Sequence, residues 1–232
     1  MLTKSTIATQ PERVRQMFGS IAPRYDLANH MLSCGADFYW RNRAAQIVAD
    51  WKAKQIVDLA AGTGDLSLAI QTKLPDAEIT AVDFLPQMLE LAKSKGVRRT
   101  VLADVLRLPF VDFCFDCVTV AFGLRNMEDW GGALCEMRRV LRTNGHLLVL
   151  EFSLPRLSIL RALYRFYLHW CLPVLGSFLT RQKNAYDYLG RSIEEFPSGP
   201  TMLQLIEATG FSNANAEQLS GGIVTIYTAE KR

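Results

Sequence analysis

The amino-acid sequence predicts an α/β domain with a mainly parallel β-sheet. Short apolar runs alternate with helical patterns through the middle of the chain, which is typical of repeated βαβ units. A glycine-rich turn, residues 60–65, joins the first apolar run to the first of these helical patterns. With 232 residues, 49% of them hydrophobic, the chain is long enough for one well-filled core. We expect a single domain over residues 1–232.

The individual elements are predicted from local patterns, in chain order. The strand-like runs are short and apolar, whereas the helical segments repeat their apolar residues every three to four positions. Segment 129–142 begins at Asp129 and carries Arg138, Arg139 and Arg142 near its end, as the helix dipole favours. Residues 143–145, Thr-Asn-Gly, predict a turn. The predicted strands cover 55–59, 79–83, 99–103, 116–121, 146–152 and 223–229, and the predicted helices cover 66–74, 86–95, 129–142 and 201–209.

Two segments lie outside this alternating series. Residues 1–51, with helices expected around 13–18 and 38–50, are predicted to form an N-terminal helical cap. Residues 155–196 form an apolar insertion after the fifth strand, interrupted by arginines. That mixture suits a lid over an apolar substrate or a membrane-facing helix pair, and equally an insertion that packs on the sheet or forms a dimer contact. The last strand, which follows a helix, indicates a reversed sheet edge.

Composition excludes several classes of function. The net charge of +3 is too mild to indicate a nucleic-acid partner. The five cysteines indicate reduced thiols in a cytoplasmic enzyme, and Cys114 and Cys117 lack the further ligands of a zinc site, so no metal is expected. The polar residues 1–10 do not form a signal peptide. Uncharged runs fall short of the roughly 18 residues that a membrane span needs.

The glycine turn predicts a nucleotide-like cofactor, with two candidates. A dinucleotide site requires a third glycine and a free helix start for its pyrophosphate. Here Ser67 stands at the third glycine position, and Asp65 places a carboxylate at the helix start. Either Asp65 or Asp58, taken alone, is explained as a cap or turn residue. Together, however, they favour a ligand with cationic ammonium and sulfonium groups, which is S-adenosylmethionine.

Two later carboxylates support this choice. Asp83 ends the second predicted strand, where it can accept hydrogen bonds from both ribose hydroxyls. Asp104 follows the third strand, where it can meet the adenine amino group. With Asp58, these residues form an ordered set of acids at successive strand ends. The set is typical of a methyltransferase.

Several sequence motifs are distributed along the chain, at residues 18–26 (Phe-Gly-Ser-Ile-Ala-Pro-Arg-Tyr-Asp), 58–65, 108–110, 122–126 (Phe-Gly-Leu-Arg-Asn), 150–153 and 188–193. Through these motifs nearly the whole chain resembles the ubiquinone/menaquinone biosynthesis C-methyltransferases, a family that includes the demethylmenaquinone methyltransferases. The resemblance implies a class I methyltransferase fold, Rossmann-like, with a seven-stranded sheet. It also implies a cofactor site formed by Asp58, Gly62, Thr63, Gly64, Asp83, Asp104, Val105 and Ala121, although many relatives have serine in place of Ala121.

The resemblance further implies methyl transfer to a ring carbon of a prenylated quinol. That chemistry needs a proton acceptor and a cation for the phenolate. Arg125 is expected to supply the cation and Asn126 to orient an oxygen, although an arginine in a surface turn is the alternative. Arg125 could act as a base only through a water, because a guanidinium stays protonated in proteins. Tyr25 and Asp26 are expected to line the quinol pocket, with His30 as a further base candidate.

The expected reaction is methylation of demethylmenaquinol, with the ubiquinone-pathway benzoquinol as the alternative acceptor. Other readings are a methyltransferase for another small phenol or lipid, a non-catalytic cofactor-binding partner in a quinone-biosynthesis complex, and an oxidoreductase. The absence of an Asn-Pro-Pro-aromatic motif after the fourth strand argues against methylation of nucleic-acid bases. Besides the quinol, the partners considered are a membrane surface and a second copy of the chain. The expected location is the cytoplasm, or the inner face of the membrane.

Overall fold

The computed structural model describes residues 25–174 and 183–232, so the helix expected around 13–18 lies outside the described residues. The helices are α1 (Tyr25–Leu32), α2 (Ala36–Asp50), α3 (Asp65–Lys73), α4 (Pro86–Ser94), α5 (Trp130–Val140), α6 (Ser158–Phe166), α7 (Lys183–Glu195) and α8 (Pro200–Ala208). The strands are β1 (Gln55–Leu59), β2 (Glu78–Asp83), β3 (Arg99–Leu102), β4 (Phe115–Ala121), β5 (Leu141–Phe152), β6 (Ser212–Leu219) and β7 (Val224–Glu230).

The seven strands form one sheet in the order β3-β2-β1-β4-β5-β7-β6. The first five strands in this order pair in parallel, and β7 runs antiparallel to both β5 and β6. The predicted α/β class, the mainly parallel sheet and the reversed edge are therefore confirmed. β6 has no counterpart among the predicted strands. Its sequence, SNANAEQL, is mostly polar, with three small or apolar residues among eight, because it is an edge strand that is only partly buried.

The turn predicted at residues 143–145 is wrong, because these residues belong to the long strand β5. Asn144 adopts a left-handed conformation with φ of 61°, and the pairing of β4 with β5 shifts register between Phe115 and Cys117. An Asn-Gly pair tolerates positive φ, and here the pair lies at an irregularity within a strand and not in a loop.

Hydrophobic cores lie on both faces of the sheet. One contains the buried face of α5, represented by Leu134 and Met137, together with Met202 and Ile206 of α8. The other contains Trp40, Ala44 and Val48 of α2, which pack with α3 and with side chains of β1 and β5. The part of the N-terminal cap that the structure describes is therefore integrated into the domain core.

The apolar insertion has a smaller core of its own. Helix α6 continues into a π-helical segment, Tyr167–Cys171, and these pack with α7. The buried side chains of this cluster include Tyr164, Leu168 and Ile193. Among the helices of residues 25–174 and 183–232, none has the length and apolar character to span a membrane.

Candidate active site

The candidate site lies where the strand order reverses, between β1 and β4. The chain leaves β1 toward β2 on one side and leaves β4 toward β5 on the other, which opens a crevice at the carboxyl ends of these strands. The loops after the two strands touch there, since a Cβ on Gly123 would lie 2.6 Å from Cβ of Ala60. Ala60 and Phe122 both have positive φ, 48° and 56°. Strained backbone of this kind is concentrated at functional sites.

Two glycines of the turn have left-handed backbones for different reasons. Gly64 precedes α3 with φ of 82°, and a Cβ there would lie 2.5 Å from a methyl group of Val97. Gly62 has φ of 56°, and a Cβ there would meet nothing within 4 Å. Gly64 thus allows close packing of the turn on the domain, while Gly62 leaves open space above the turn. The open space is what a ligand lying on the glycine turn requires.

Asp83, the last residue of β2, is hydrogen-bonded to the glycine turn. Its Oδ2 accepts a hydrogen bond from the Gly62 amide at 2.8 Å, and its Oδ1 accepts one from the Leu85 amide at 2.9 Å. Burial raises the pKa of Asp83, against the effect of these amides. Because a carboxylate has about four acceptor positions, Asp83 retains capacity for ribose hydroxyls while it holds Gly62 in place.

Asp58, at the end of β1, is almost fully buried. Its two oxygens accept hydrogen bonds from the hydroxyls of Ser67 at 2.6 Å and Thr119 at 2.8 Å. Burial raises its pKa to about 6 despite these bonds. Ser67, which occupies the third glycine position of a dinucleotide motif, is therefore a support for Asp58. An adjoining cavity of about 30 Å³ is lined by Asp58, Gly62, Thr63, Ala121 and six further residues.

The remaining predicted cofactor residues follow β3. Asp104 is exposed and caps a short 3₁₀ turn, Val105–Arg107, by accepting a hydrogen bond from the Leu106 amide at 2.9 Å. Its second oxygen can meet an adenine amino group from this position. The side chain of Val105 is buried in the core. A ligand would therefore meet its backbone or the edge of its side chain.

The charge of Asp65 is more balanced than the sequence indicated. Its carboxylate forms an ion pair with Lys95, and Nη2 of Arg41 lies 3.7 Å from its other oxygen. Because its charge is compensated in this way, Asp65 does not by itself exclude a phosphate ligand. The neighbouring Asp58 and the arrangement of Asp83 and Asp104 carry that argument instead.

The residues expected from the N-terminal segment make different contacts in the structure. Asp26 accepts a hydrogen bond from the hydroxyl of Thr63 at 2.6 Å and forms an ion pair with Lys95 at 2.9 Å. Asp26 thus lies against the glycine turn, and it is not among the residues that line the large cavity described next. Tyr25 begins α1, but its side chain is outside the described part of the structure. His30 lies with its Nδ1 2.7 Å from Asp37.

A second cavity, of about 450 Å³, is bounded by the cap, the loops after β4 and β5, and the insertion. This volume is in the range of small-molecule sites. Most of its lining side chains are apolar or aromatic, among them Leu160, Leu163, Tyr164, Leu168, Leu172, Leu189, Ile193 and Ile223. Arg41 and Phe122 line both this cavity and the small cavity at the glycine turn, so the two spaces adjoin at these residues.

Arg125 lines the large cavity and is buried, which rules out the alternative of an exposed surface turn. Its Nη1 forms an ion pair with Oε1 of Glu151 at 2.6 Å and donates to the Phe122 carbonyl at 2.5 Å. Its guanidinium carbon lies 5.2 Å from the ring centre of Phe152. Its Nε is buried without a hydrogen-bond partner in the described structure. A buried donor without a partner costs free energy that an acceptor on a ligand would recover.

Asn126 is also held in place at this loop. Its Nδ2 donates to the Phe122 carbonyl at 3.3 Å, and its Oδ1 accepts a hydrogen bond from the hydroxyl of Tyr188 at 3.2 Å. Tyr188 belongs to α7 and lines the large cavity. Burial raises its pKa, so the phenol remains protonated as a donor near neutral pH.

Several residues of the site were not identified from the sequence. Glu151 is fully buried, and burial raises its pKa while the charge of Arg125 opposes this. Its signal was present, because it is a single acid in the apolar run Leu-Leu-Val-Leu-Glu-Phe. Tyr188 begins the matching motif 188–193, but its position in the site depends on how the insertion folds over the sheet. Arg41 and Asp37 have no comparable signal, because their contacts depend on how the cap folds over the sheet.

The Cys114–Cys117 motif is unrelated to this site. Cys117 is buried in β4, where burial raises the pKa of its thiol far above the usual range. Within residues 25–174 and 183–232, no group of three or more His, Cys, Asp or Glu side chains is placed to hold a metal ion.

Comparison with known proteins agrees with this geometry. The ubiE/COQ5 methyltransferase family matches the chain over residues 6–231. The demethylmenaquinone methyltransferase of Thermus thermophilus is 43% identical over 220 residues, which cover 93% of this chain and 100% of that protein. The ubiquinone/menaquinone biosynthesis C-methyltransferase UbiE of Geotalea uraniireducens is 41% identical over 228 residues, covering 95% of this chain and 97% of that protein.

A solved structure shows the same fold. A SAM-dependent methyltransferase of Thermotoga maritima, described as a possible histamine N-methyltransferase, has a TM-score of 0.67 and 18% identity, covering 93% of this chain and 100% of that one. The fold is therefore that of the class I methyltransferases, and the cofactor is S-adenosylmethionine, as predicted. The chain belongs to the ubiE/COQ5 methyltransferase family.

Proposed function

We propose that the chain methylates a ring carbon of a prenylated quinol in quinone biosynthesis, with demethylmenaquinol as the acceptor. The name of the Thermus thermophilus relative supports this acceptor. The observation that carries the proposal is the position of Arg125, a buried cation in the wall of a mainly apolar cavity that adjoins the glycine turn. An apolar space with one cation suits a ring that becomes a phenolate.

The cofactor residues proposed here are those that surround the glycine turn and follow β3. Asp83 would accept from the ribose hydroxyls, Asp104 would meet the adenine amino group, and Asp58 would face the methionine end. When bound, S-adenosylmethionine supplies an electrophilic methyl group on a cationic sulfur. Gly62, Thr63, Gly64 and Ala121 shape the surface on which it would lie, and Val105 would contribute backbone.

Arg125 would stabilise the negative charge that develops on the quinol oxygen. Loss of the phenolic proton to a water molecule would move charge onto the ring carbon, which then becomes nucleophilic enough to attack a methyl group. After the transfer, that carbon would lose its own hydrogen as a proton and the donor would leave as a neutral thioether. A protonated guanidinium has no lone pair with which to accept the phenolic proton directly. Its role is to favour the phenolate by charge and by hydrogen bonding, and Glu151 keeps it in place from behind.

Asn126 and Tyr188 would orient the quinol. Their hydrogen bond links the loop after β4 to α7 of the insertion. Described residues of the insertion, among them Tyr188 and Leu189, line the cavity, and we propose that they act as a lid over the acceptor. Exclusion of water by this lid would strengthen the interaction of Arg125 with an oxyanion.

We also propose that the outer face of the insertion binds the surface of a lipid bilayer. Helix α6 and the segment after it expose large apolar side chains, including Ile159 at 75%, Leu163 at 62% and Trp170 at 69%. Leu160 and Leu163 belong both to this exposed face and to the cavity lining, so a prenyl tail that leaves the cavity passes directly onto the apolar face. The exposed Arg156 and Arg161 flank the face and suit anionic lipid headgroups.

Vesicle binding tests this surface. Ile159→Glu and Phe166→Glu place charges on exposed side chains that do not line the cavity. Both should reduce co-sedimentation with anionic phospholipid vesicles while turnover of a short-chain quinol is retained. Val111→Glu, at an equally exposed apolar residue outside the insertion, is the matched control. Unchanged vesicle binding, or light scattering that shows these variants break a dimer instead, would contradict the proposal.

The acceptor is tested by mass spectrometry of lipid quinones from cells that lack the protein. We expect demethylmenaquinone to accumulate, and the wild-type chain to restore menaquinone where Arg125→Met does not. Accumulation of a demethylated ubiquinone precursor would replace naphthoquinol by benzoquinol as the acceptor. Accumulation of neither compound, in cells that make the quinones, would overturn the proposed function.

A further inference from the structure

The small cavity at the glycine turn is lined by one cationic side chain that was not expected from the sequence. Its lining includes two carboxylates, Asp58 and Asp65, and the hydroxyl-bearing Thr63. Among the residues that line it, the only positively charged side chain is Arg41. Arg41 comes from α2 of the cap, whereas the rest of the lining comes from the end of β1, the glycine turn, the start of α3, the end of β4 and the loop after β4. Its charge lowers the pKa of Asp58 in opposition to burial, so the guanidinium is close enough to affect that carboxylate.

The guanidinium of Arg41 is held on one side and open on the other. Its Nη1 donates to the buried Asp37. Its carbon lies 5.5 Å from the ring centre of Phe122, the other residue that separates the two cavities. Its Nη2 lies 3.7 Å from Asp65, which exceeds a hydrogen-bond distance. Asp37 and Phe122 thus fix the group, while within residues 25–174 and 183–232 the recorded contact of Nη2 is the long one to Asp65, so its donors can meet a better acceptor.

Asp37 is itself positioned by three groups. Besides Arg41, its oxygens accept hydrogen bonds from the Ser33 hydroxyl at 2.7 Å and contact His30 Nδ1 at 2.7 Å. Burial raises the pKa of Asp37, but the bond from Ser33, the charge of Arg41 and the contact with His30 together outweigh it and lower the pKa. Asp37 is therefore an ionised anchor that orients Arg41 within the wall between the cavities.

The methionine end of the cofactor requires both signs of charge. Its α-ammonium and its sulfonium suit the carboxylates of the turn, but its α-carboxylate needs a cation. A guanidinium binds a carboxylate through two parallel N–H groups. We propose that Arg41 binds the α-carboxylate of S-adenosylmethionine and that Asp37 positions Arg41 for this contact. The inference rests on the cofactor site proposed above and adds to it the residue that recognises the amino-acid end of the ligand.

A comparison of two ligands isolates this contact. Decarboxylated S-adenosylmethionine retains the adenosine, the sulfonium and the ammonium but lacks the α-carboxylate. Isothermal titration calorimetry should show that wild-type protein binds the complete cofactor about 10- to 100-fold more tightly than the decarboxylated one. Arg41→Met should lower the affinity for the complete cofactor by a similar factor and leave the affinity for the decarboxylated ligand nearly unchanged.

Two further variants complete the design. Arg43→Met removes another cation from the same helix. Arg43 donates hydrogen bonds to Glu217 at 2.7 and 2.8 Å and does not line the cavity. The affinities for both ligands should therefore remain at wild-type values. Asp37→Asn should reduce discrimination between the ligands without abolishing it, because Arg41 keeps its charge but loses its anchor. Near-ultraviolet circular dichroism of each variant checks that the tertiary packing is retained.

The outcomes separate the inference from the site on which it rests. Equal loss of affinity for both ligands in Arg41→Met would show that Arg41 only supports the fold of the cavity. Unchanged discrimination in Arg41→Met would show that another group binds the carboxylate. Either result overturns the inference and leaves the proposed cofactor site intact. Failure of wild-type protein to bind the complete cofactor would overturn both.

Discussion

Arg125 and Glu151 form a buried ion pair, with Nη1 2.6 Å from Oε1, that joins the loop after β4 to the end of β5. The Arg125 amide also lies 3.3 Å from Oε2 of Glu151, so the carboxylate contacts both the backbone and the side chain of one residue. Glu151 itself has no exposed surface, whereas Arg125 lines the cavity. The pair therefore presents the cation to a ligand and hides the anion behind it.

The first prediction concerns the role of this pair in stability. Glu151→Ala leaves Arg125 as a buried charge without its partner, so the free energy of unfolding should fall by about 3–5 kcal/mol. The double variant Arg125→Met, Glu151→Met removes both charges and should regain most of that loss, while it lacks turnover. Urea denaturation and a quinol assay measure the two quantities. A double variant as unstable as Glu151→Ala would show that the site requires the ion pair in order to fold.

The second prediction separates the two glycines of the cofactor turn. In Gly64→Ala, the backbone keeps its positive φ and the new Cβ would lie 2.5 Å from a methyl group of Val97. The variant should therefore lose more stability than the roughly 1–2 kcal/mol that left-handed strain alone costs. Gly62→Ala adds a methyl group in open space, so its loss of stability should be confined to that strain. Its main effect should be weaker cofactor binding. Thermal unfolding and calorimetry with S-adenosylhomocysteine should thus rank the two variants in opposite orders.

The third prediction follows from the raised pKa of Asp58. Burial moves this pKa from 3.8 to about 6, so between these values the folded chain holds a proton that the unfolded chain has released. The contribution of the group to stability is fully present below the unfolded pKa and is lost as the pH rises through 6. At neutral pH the ionised, buried carboxylate should cost about 3 kcal/mol relative to acid conditions.

Asp58→Asn tests this directly. The variant has no proton to lose, so the free energy of unfolding of the wild type should fall relative to that of the variant between pH 4 and pH 7. Asp76→Asn, at an exposed carboxyl on the surface, controls for the general loss of one negative charge. Parallel pH profiles for wild type and Asp58→Asn would show that this carboxyl has the same proton affinity in the folded and unfolded chains.

Local patterns were sufficient to predict much of the fold. The alternation of strands and helices, the glycine turn after β1 and the helix that Asp129 caps all depend on neighbours in sequence. Asp129 indeed accepts a hydrogen bond from the Gly132 amide at 2.9 Å. Elements without such a signal were missed. β6 is polar because it is an edge strand, and the Asn-Gly pair at 144–145 reads as a turn although it lies within β5.

The site was predicted in part, for a physical reason. The carboxyl ends of parallel strands meet at one edge, so Asp58, Asp83 and Arg125 could be placed near the same crevice from the sequence. Contacts made by the cap and the insertion depend on tertiary packing across long sequence separations. The contact of Asp26 with the glycine turn was therefore not expected, and Arg41 was not recognised.

The central claim is that Arg125 acts on the acceptor and not on the cofactor. The most direct measurement compares turnover and cofactor affinity in Arg125→Met, with demethylmenaquinol as substrate and calorimetry for S-adenosylmethionine. We predict that kcat falls by about 100- to 1000-fold, as for removal of one oxyanion-stabilising group, while the cofactor Kd stays near its wild-type value. A parallel loss of cofactor affinity, or a turnover close to that of the wild type, would contradict the account.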